Sequence, residues 1–256
     1  MKHHVHAKIE THGHTNTHGS DIHIMRIHAP DIAKNARPGQ FVMVYLDKGE
    51  HLLPRPISLH DVDKTKGLIT LVYIVAGAGT KIMSQWPAGH IVRVLGPLGN
   101  GFDIDNCRAG DKVALVGGGL GAPPLYYLAL ELKKMGVNVD VYLGFRKDTP
   151  VLTGCFESLC VNLAIATEDG SAGHKGYVTD LLPHDPTYTT ILSCGPAPML
   201  KALSTYANAK NIPCQISVEE RMACGIGACK GCVVKTLVGY RLCCTEGPVF
   251  DSKEVY

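Results

Sequence analysis

The stretch Asp111-Lys112-Val113-Ala114-Leu115-Val116-Gly117-Gly118-Gly119-Leu120-Gly121-Ala122-Pro123-Pro124-Leu125 decides how the chain is divided. The uncharged run from Val113 to Leu130 has the length of a membrane span. Its glycines and prolines would leave backbone groups unsatisfied in lipid, so no membrane role follows. It reads instead as a short strand, Val113 to Val116, a glycine turn, and a helix from Pro123 to Met135 capped by Gly136. Gly117, Gly119 and Ala122 fit G-x-G-x-x-G/A, whose glycines make the turn and let a pyrophosphate approach the helix N-terminus. A tight strand-to-helix turn with no ligand is the plain alternative.

Downstream, strands at Val137 to Leu143, Leu163 to Ala166 and Thr190 to Ser193 alternate with a helical stretch around Val178 to Leu182 and a helix from Ala197 to about Lys210. Such alternation implies a parallel sheet. The second strand ends Gly144-Phe145-Arg146, without the acidic residue that would bind a ribose hydroxyl. Arg146 suits a 2′-phosphate instead, so NAD and NADP both stay open. Cys194-Gly195-Pro196 closes a later strand, where ligands of such sheets gather. A small neutral thiol there suits a nicotinamide ring, although a merely buried cysteine reads equally well.

Upstream, Ile22, Ile24 and Ile27, then Phe41 to Leu46, Leu68 to Val75 and Ile91 to Leu95 read as short strands. Arg37-Pro38-Gly39, Asp47 to Glu50, Asp63 to Gly67 and Pro87 to Gly89 are turn compositions between them, the pattern of a small all-β barrel. In it, Arg55-Pro56-Ile57-Ser58 sets an Arg fork and a hydroxyl around a rigid turn, suited to a diphosphate and a ring nitrogen. Gly77-Ala78-Gly79-Thr80 offers a backbone nest and a hydroxyl to a phosphate. Both are also ordinary turn compositions.

The chain has 256 residues, 45% hydrophobic and 19% charged, which supplies sizeable cores and excludes wholesale disorder. Lys plus Arg number 25 against 23 Asp plus Glu, a formal +2 too small and too dispersed for a nucleic-acid surface. No secretory signal is read at the N-terminus, so a cytoplasmic location is expected. Eight of the 13 histidines lie before residue 29, namely His3, His4, His6, His12, His14, His18, His23 and His28. His, Thr and Gly alternate there as on a solvent-facing strand, which reads as an exposed polar face rather than a metal site.

Ten cysteines in a cytosolic chain are packing residues or ligands, since thiols stay reduced there. Cys107, Cys155, Cys160, Cys194 and Cys214 are scattered, whereas Cys224, Cys229, Cys232, Cys243 and Cys244 crowd the C-terminal end. Cys224-Gly225-Ile226-Gly227-Ala228-Cys229-Lys230-Gly231-Cys232, with a distal fourth cysteine, has the C-x4-C-x2-C spacing of a plant-type [2Fe-2S] centre. Its thiolates must converge on two irons while the inorganic sulfides take backbone N–H donors. Gly225, Gly227, Ala228 and Gly231 allow that close approach. Zinc is the competitor, although it favours paired knuckles of shorter gap. Cys243 and Cys244 point opposite ways if extended, so spacing leaves either as the fourth ligand.

Taken in order, Arg55 to Ser58 (RPIS), Gly77 to Thr80 (GAGT), Gly96 to Phe102 (GPLGNGF), Val116 to Leu125 (VGGGLGAPPL), Cys194 to Pro196 (CGP) and Glu219 to Cys232 (EERMACGIGACKGC) resemble one family. It is that of the electron transfer subunits of NAD-linked, type B dihydroorotate dehydrogenase, which are ferredoxin reductase-like flavoproteins. The likeness runs over nearly the whole chain, and the cysteine loop followed by GPVF (Gly247 to Phe250) is its most specific part. The resemblance implies an antiparallel β-barrel over 1–103 that holds FAD through Arg55, Pro56, Ile57 and Ser58, through Val72, Tyr73 and Ile74, and through Gly79 and Thr80. It implies a parallel-sheet domain over 104–212 that holds NAD at Gly117, Gly118, Gly119, Gly121, Cys194, Gly195 and Pro196. A small domain over 213–256 would hold a [2Fe-2S] cluster on Cys224, Cys229, Cys232 and Cys244, because the family's last cysteine lies three residues before Gly-Pro-Val-Phe. Cys243 is left over.

The implied partner is an FMN-containing catalytic subunit that oxidises dihydroorotate to orotate in pyrimidine biosynthesis, in an expected heterotetramer of two of each. Electrons would cross singly through the cluster to FAD and leave as hydride on NAD+, with no side chain here acting as acid or base. Ser58 beside the flavin and Cys194 beside the nicotinamide are the expected orienting groups. Subunits of the sulfide dehydrogenase, hydrogenase or ferredoxin:NADP reductase type share the flavin and nucleotide motifs, and a colourless zinc module is a further alternative.

Overall fold

The computed structural model describes residues 2–17, 20–46, 53–159 and 162–256; Asp47 to Glu50, His18 and Cys160 lie outside them. Among the described residues, six strands close an antiparallel barrel. They are β1 (His3–Thr17), β2 (Ser20–His28), β3 (Phe41–Val44), β4 (Arg55–Asp63), β5 (Leu68–Ile74) and β6 (Ile91–Leu98), in the order β1-β2-β5-β4-β3-β6. Pairing of β1 with β6 closes the ring and leaves no edge strand. Side chains alternate across each strand, so Val42 and Val44 enter the barrel core while Phe41 and Met43 are buried on its outer side. Two short helices, α1 (Pro30–Asn35) and α2 (Ala78–Ser84), join strands of the barrel.

Arg55 to Ser58, read above as a rigid turn, is the start of β4. These four residues pair with β3 alone, and β4 meets β5 only from Leu59 onward. Pro56 therefore lies where a strand tolerates proline, with one side free of ladder hydrogen bonds. The histidine face is also only partly as read. His4, His6 and His14 are exposed, but His23 is 4% exposed and stacks between His14 and Tyr73 at 5.4 and 5.2 Å. His12 beside it donates from Nδ1 to the Trp86 carbonyl at 2.7 Å.

The second layer is a seven-stranded sheet, again among the described residues. Its strands are β7 (Lys112–Gly118), β8 (Asn138–Phe145), β9 (Asn162–Thr167), β10 (His174–Lys175), β11 (Thr190–Cys194), β12 (Cys214–Ser217) and β15 (Val249–Asp251), ordered β10-β9-β8-β7-β11-β12-β15. All neighbours are parallel except β12 and β15. The glycine turn is a short 3-10 segment, Gly119–Gly121, between β7 and helix α3 (Ala122–Lys134). Helix α4 (Pro150–Ser158) follows β8, and α5 (Ala197–Ala209) follows β11. Nothing in the apolar pattern announces α4, whose Gly154 and Ser158 dilute it; only Pro150 in its first turn marks its start. The sheet takes β12 and β15 from beyond residue 212. The remaining tail forms a hairpin of β13 (Val233–Thr236) and β14 (Gly239–Leu242) and a final turn of helix α6 (Ser252–Val255).

Barrel and sheet share a joint at α3. His60 Nδ1 donates to the Pro123 carbonyl at 2.8 Å and its ring stacks on Tyr126, while the buried Tyr127 hydroxyl donates to Ala36 at 3.1 Å.

Candidate functional site

The cysteine loop runs between β12 and β13 and turns on residues in the left-handed region, Gly225 at φ 70°, Gly227 at φ 83° and Lys230 at φ 54°. That path aims backbone N–H groups at sulfur. Cys224 Sγ accepts from Ile226 and Cys229 at 3.4 Å, and Cys229 Sγ from Gly231 at 3.5 Å. Burial by itself would raise the Cys224 thiol, but the N–H donors bring it down to about 6, so it is ready as a thiolate. Cys229 lies beside Cys224 and Cys232 beside Cys244, and the Cys224 sulfur is near enough to act on Cys244 as well. Burial and Cys232 push the Cys244 thiol up to about 11. A pairwise grouping on a loop of N–H donors fits a cluster of two irons, each of which takes two thiolates. Among the described residues no three His, Cys, Asp or Glu are grouped to hold a single ion. Cys243 diverges from its neighbour. It is fully buried, its S–H donates to the Val218 carbonyl at 3.6 Å, and burial pushes it up to about 12.

The loop is seated on the barrel. A Cβ on Gly225 would come within 2.6 Å of Met43 Cγ, so only a bare backbone lies this close to β3. Met43 is opposite Pro56 and Phe41 is opposite Ser58. Opposed residues share a face, which puts Pro56 and the exposed Ser58 on the outer surface beside the loop, while Ile57 turns to the barrel core. Arg55 lies against Gly79, where any Cβ would overlap the guanidinium. Its Nη1 donates to the Leu53 carbonyl at 2.6 Å. The Gly77 to Thr80 turn is less a nest than the start of α2. Thr80 Oγ1 accepts from Ala76 and Gly77 at 2.9 and 3.2 Å and donates to the Gly77 carbonyl at 3.1 Å. Its hydroxyl is committed to its own loop, so a phosphate here would meet the Arg55 fork and backbone. The stretch from Val72 to Ile74 splits by strand alternation. Val72 and Ile74 face the sheet domain, whereas Tyr73 enters the barrel with its hydroxyl 3.0 Å from His12 Nε2.

At the carboxyl ends of β7, β8 and β9 lies a cleft of about 820 Å³, within the range of small-molecule sites. Gly118, Gly119 and Pro196 line it. Gly117 and Gly121 lie behind: a Cβ on Gly117 would come within 2.8 Å of Leu143, and one on Gly121 would overlap the Cys194 carbonyl. The glycines thus let the two turns interlock, with Gly195 against Met199. The Cys194 thiol is buried with Glu219 nearby, and burial pushes it up to about 12, so it is neutral. Arg146 lines the cleft at the end of β8, and Lys147 follows it. Glu168, from the end of the neighbouring strand, lines it too. Sequence reading missed Glu168 because only the pairing of β8 with β9 brings the two strand ends together. Ile22 and Ile74 of the barrel complete the lining, so the cleft opens beside β5.

Residues 219–256 match the model of the iron-sulfur cluster binding domain of dihydroorotate dehydrogenase B. The chain is 44% identical over 226 residues to the dihydroorotate dehydrogenase B (NAD(+)) electron transfer subunit of Shouchella clausii, covering 86% of each. It is 43% identical over 244 residues to the subunit of the same name in Desulforamulus reducens, covering 92% of each. A solved structure of an NADH-dependent reduced ferredoxin-NADP oxidoreductase, studied for flavin-based electron bifurcation, superposes with a TM-score of 0.85 at 31% identity, over 98% of this chain and 90% of that one. A ferredoxin NADP+ reductase from Neisseria gonorrhoeae, solved with FAD and NADP, shares the fold at 16% identity and a TM-score of 0.63, over 80% of this chain and 91% of that one. Among the described residues no helix is long and apolar enough to cross a membrane.

Proposed function

The chain belongs to the family of the electron transfer subunits of NAD(+)-linked dihydroorotate dehydrogenase B, and from that premise we propose how its residues carry the electrons. Cys224, Cys229, Cys232 and Cys244 hold a [2Fe-2S] cluster. Arg55, Pro56 and Ser58, with Val72, Ile74, the backbone of Ile57 and Tyr73 and the Gly79-Thr80 backbone, hold FAD on the outer face of the barrel. Gly118, Gly119 and Pro196 meet NAD, and Gly117, Gly121, Cys194 and Gly195 shape the turns behind it. The stretches 1–103, 104–212 and 213–256 serve FAD, NAD and the cluster respectively, the last lending two strands to the sheet. The partner is an FMN-containing catalytic subunit, two copies with two of this chain, in the cytoplasm and in pyrimidine biosynthesis.

One observation carries this reading: the cysteine loop lies on β3, beside the strand that presents Pro56 and Ser58, and the cleft opens on Ile74 of the same barrel. On this reading the cluster loop borders the flavin strand, and the barrel that carries the flavin borders the nucleotide cleft. Bound flavin exchanges one or two electrons and so joins a one-electron cluster to the hydride of NAD. The chain's own residues bind and space these groups. The Arg55 fork suits a diphosphate, the loop N–H groups hold thiolate charge, and the buried Cys194 stays protonated without donating charge to the cleft.

The test is the anaerobically purified protein. It should be coloured, with iron and acid-labile sulfide in equal amounts and one FAD per chain, and should co-purify with an FMN-containing chain. Alone, it should reduce dyes from NADH but not oxidise dihydroorotate. A colourless, zinc-containing protein would overturn the reading.

A further inference from the structure

The barrel side chains against Gly225 of the cysteine loop are Met43 of β3, the strand paired with the one assigned to the flavin, and Leu98 of β6. A Cβ on Gly225 would approach Met43 Cγ to 2.6 Å, Met43 Sδ to 3.2 Å and Leu98 Cδ1 to 3.0 Å. Met43 is fully buried in a core that also contains Phe41, Leu98, Cys232, Cys243 and Cys244. Its cross-strand partner on the same face is Pro56, two residues from Ser58. Opposed residues on one face lie about 5 Å apart, so the Met43 side chain touches the loop backbone on one side and borders the flavin strand on the other. Dense packing of this kind transmits a change of a single methylene into a shift of its neighbours.

We propose that Met43 is a positioning residue for electron transfer: its volume sets the gap between the [2Fe-2S] loop and the flavin face of β4. The proposal rests on the functional reading above and adds the side chain that spaces its two redox groups. Met43→Leu keeps the volume and removes sulfur, whereas Met43→Ala leaves a void into which the loop settles.

The experiment uses the complete complex, with FAD, iron and sulfide contents and the reduced-cluster EPR spectrum measured for every variant. On mixing with NADH under anaerobic conditions, FAD takes the hydride and the cluster then gains one electron from reduced FAD. The expected result is that FAD reduction is unchanged in Met43→Ala and Met43→Leu. The following cluster reduction changes by up to about a hundredfold in Met43→Ala, the scale of a misplacement of about 1 Å, and is near wild type in Met43→Leu. Hydrogen exchange over residues 224–232, read without turnover, should rise in Met43→Ala alone of these two. If Met43→Ala does not load its cofactors, Met43→Val, which leaves a smaller void, supplies the test, with altered cluster reduction after normal FAD reduction. Full cofactor content with cluster reduction unaltered in Met43→Ala overturns the proposal, as does a Met43→Leu variant as perturbed as the alanine. Absence of flavin or cluster from the wild type would instead overturn the functional reading beneath it.

Discussion

Glycines of one motif do different jobs here. Gly121 has no room for a Cβ, because the Cys194 carbonyl occupies that space, whereas Gly119 lines the open cleft and has a φ of 54°. Gly121→Ala must part the two turns, with a loss of about 1–3 kcal/mol in denaturant melts and NADH binding weakened at least about tenfold. Gly119→Ala should cost about 1 kcal/mol, the ordinary left-handed penalty, and place a Cβ in the cleft where NADH is proposed to bind. The spacing of these glycines was legible in the sequence; which of them lines the cleft and which meets a neighbouring turn was not, because the second turn lies more than seventy residues away. The adjacent cysteines make the same point. Cys244→Ser should lose the visible absorption of the cluster. Cys243→Ala should keep it and lose about 1–2 kcal/mol of stability, since that thiol is buried and donates to the Val218 carbonyl.

At the scale of elements, β4 ties its strand to α3 through His60, whose Nδ1 donates to the Pro123 carbonyl. Burial outweighs that bond and lowers the imidazole below its usual 6.5, so the neutral ring is the folded form. As pH falls, the unfolded chain binds the proton first. The stability this ring contributes is complete above about 6.5 and is lost as pH drops toward the lower folded value. His12, also lowered by burial, acts in the same direction. Thermal melts should therefore fall between neutral pH and about 5, and His60→Asn, which retains a donor near Nδ1 and cannot titrate, should flatten that slope. An unchanged slope would place the dependence elsewhere. Element reading succeeded where periodicity was long and apolar, as in β7, α3 and α5. It failed where residues carry two meanings: Pro56 signals a turn yet stands on a half-paired strand, and β1 hides the inward His12 among exposed histidines.

For the whole molecule, the tail is latched from both sides independently of any metal. Asn100 N–H donates to the Gly247 carbonyl at 2.6 Å, and Asn100 Nδ2 to that of Glu246 at 3.0 Å, which ties the barrel to the segment after Cys244. On the other side β15 pairs with β12, and Phe250 joins Phe41, Met43 and Val234 in one core. The span from Cys224 to Cys232 is held more lightly: it touches the barrel at Gly225 and enters the core at Cys232, but is exposed at Cys229 and, at 48%, at Ile226. Iron chelation under anaerobic conditions should therefore leave the far-ultraviolet dichroism and the bound FAD in place while opening the loop to protease at Arg221 or Lys230. Local opening of this sort requires less free energy than global unfolding, because few apolar contacts are surrendered. Loss of FAD together with the iron would mean that the loop and the barrel fold as one cooperative unit, and that the latch at Asn100 and β15 does not by itself hold the tail.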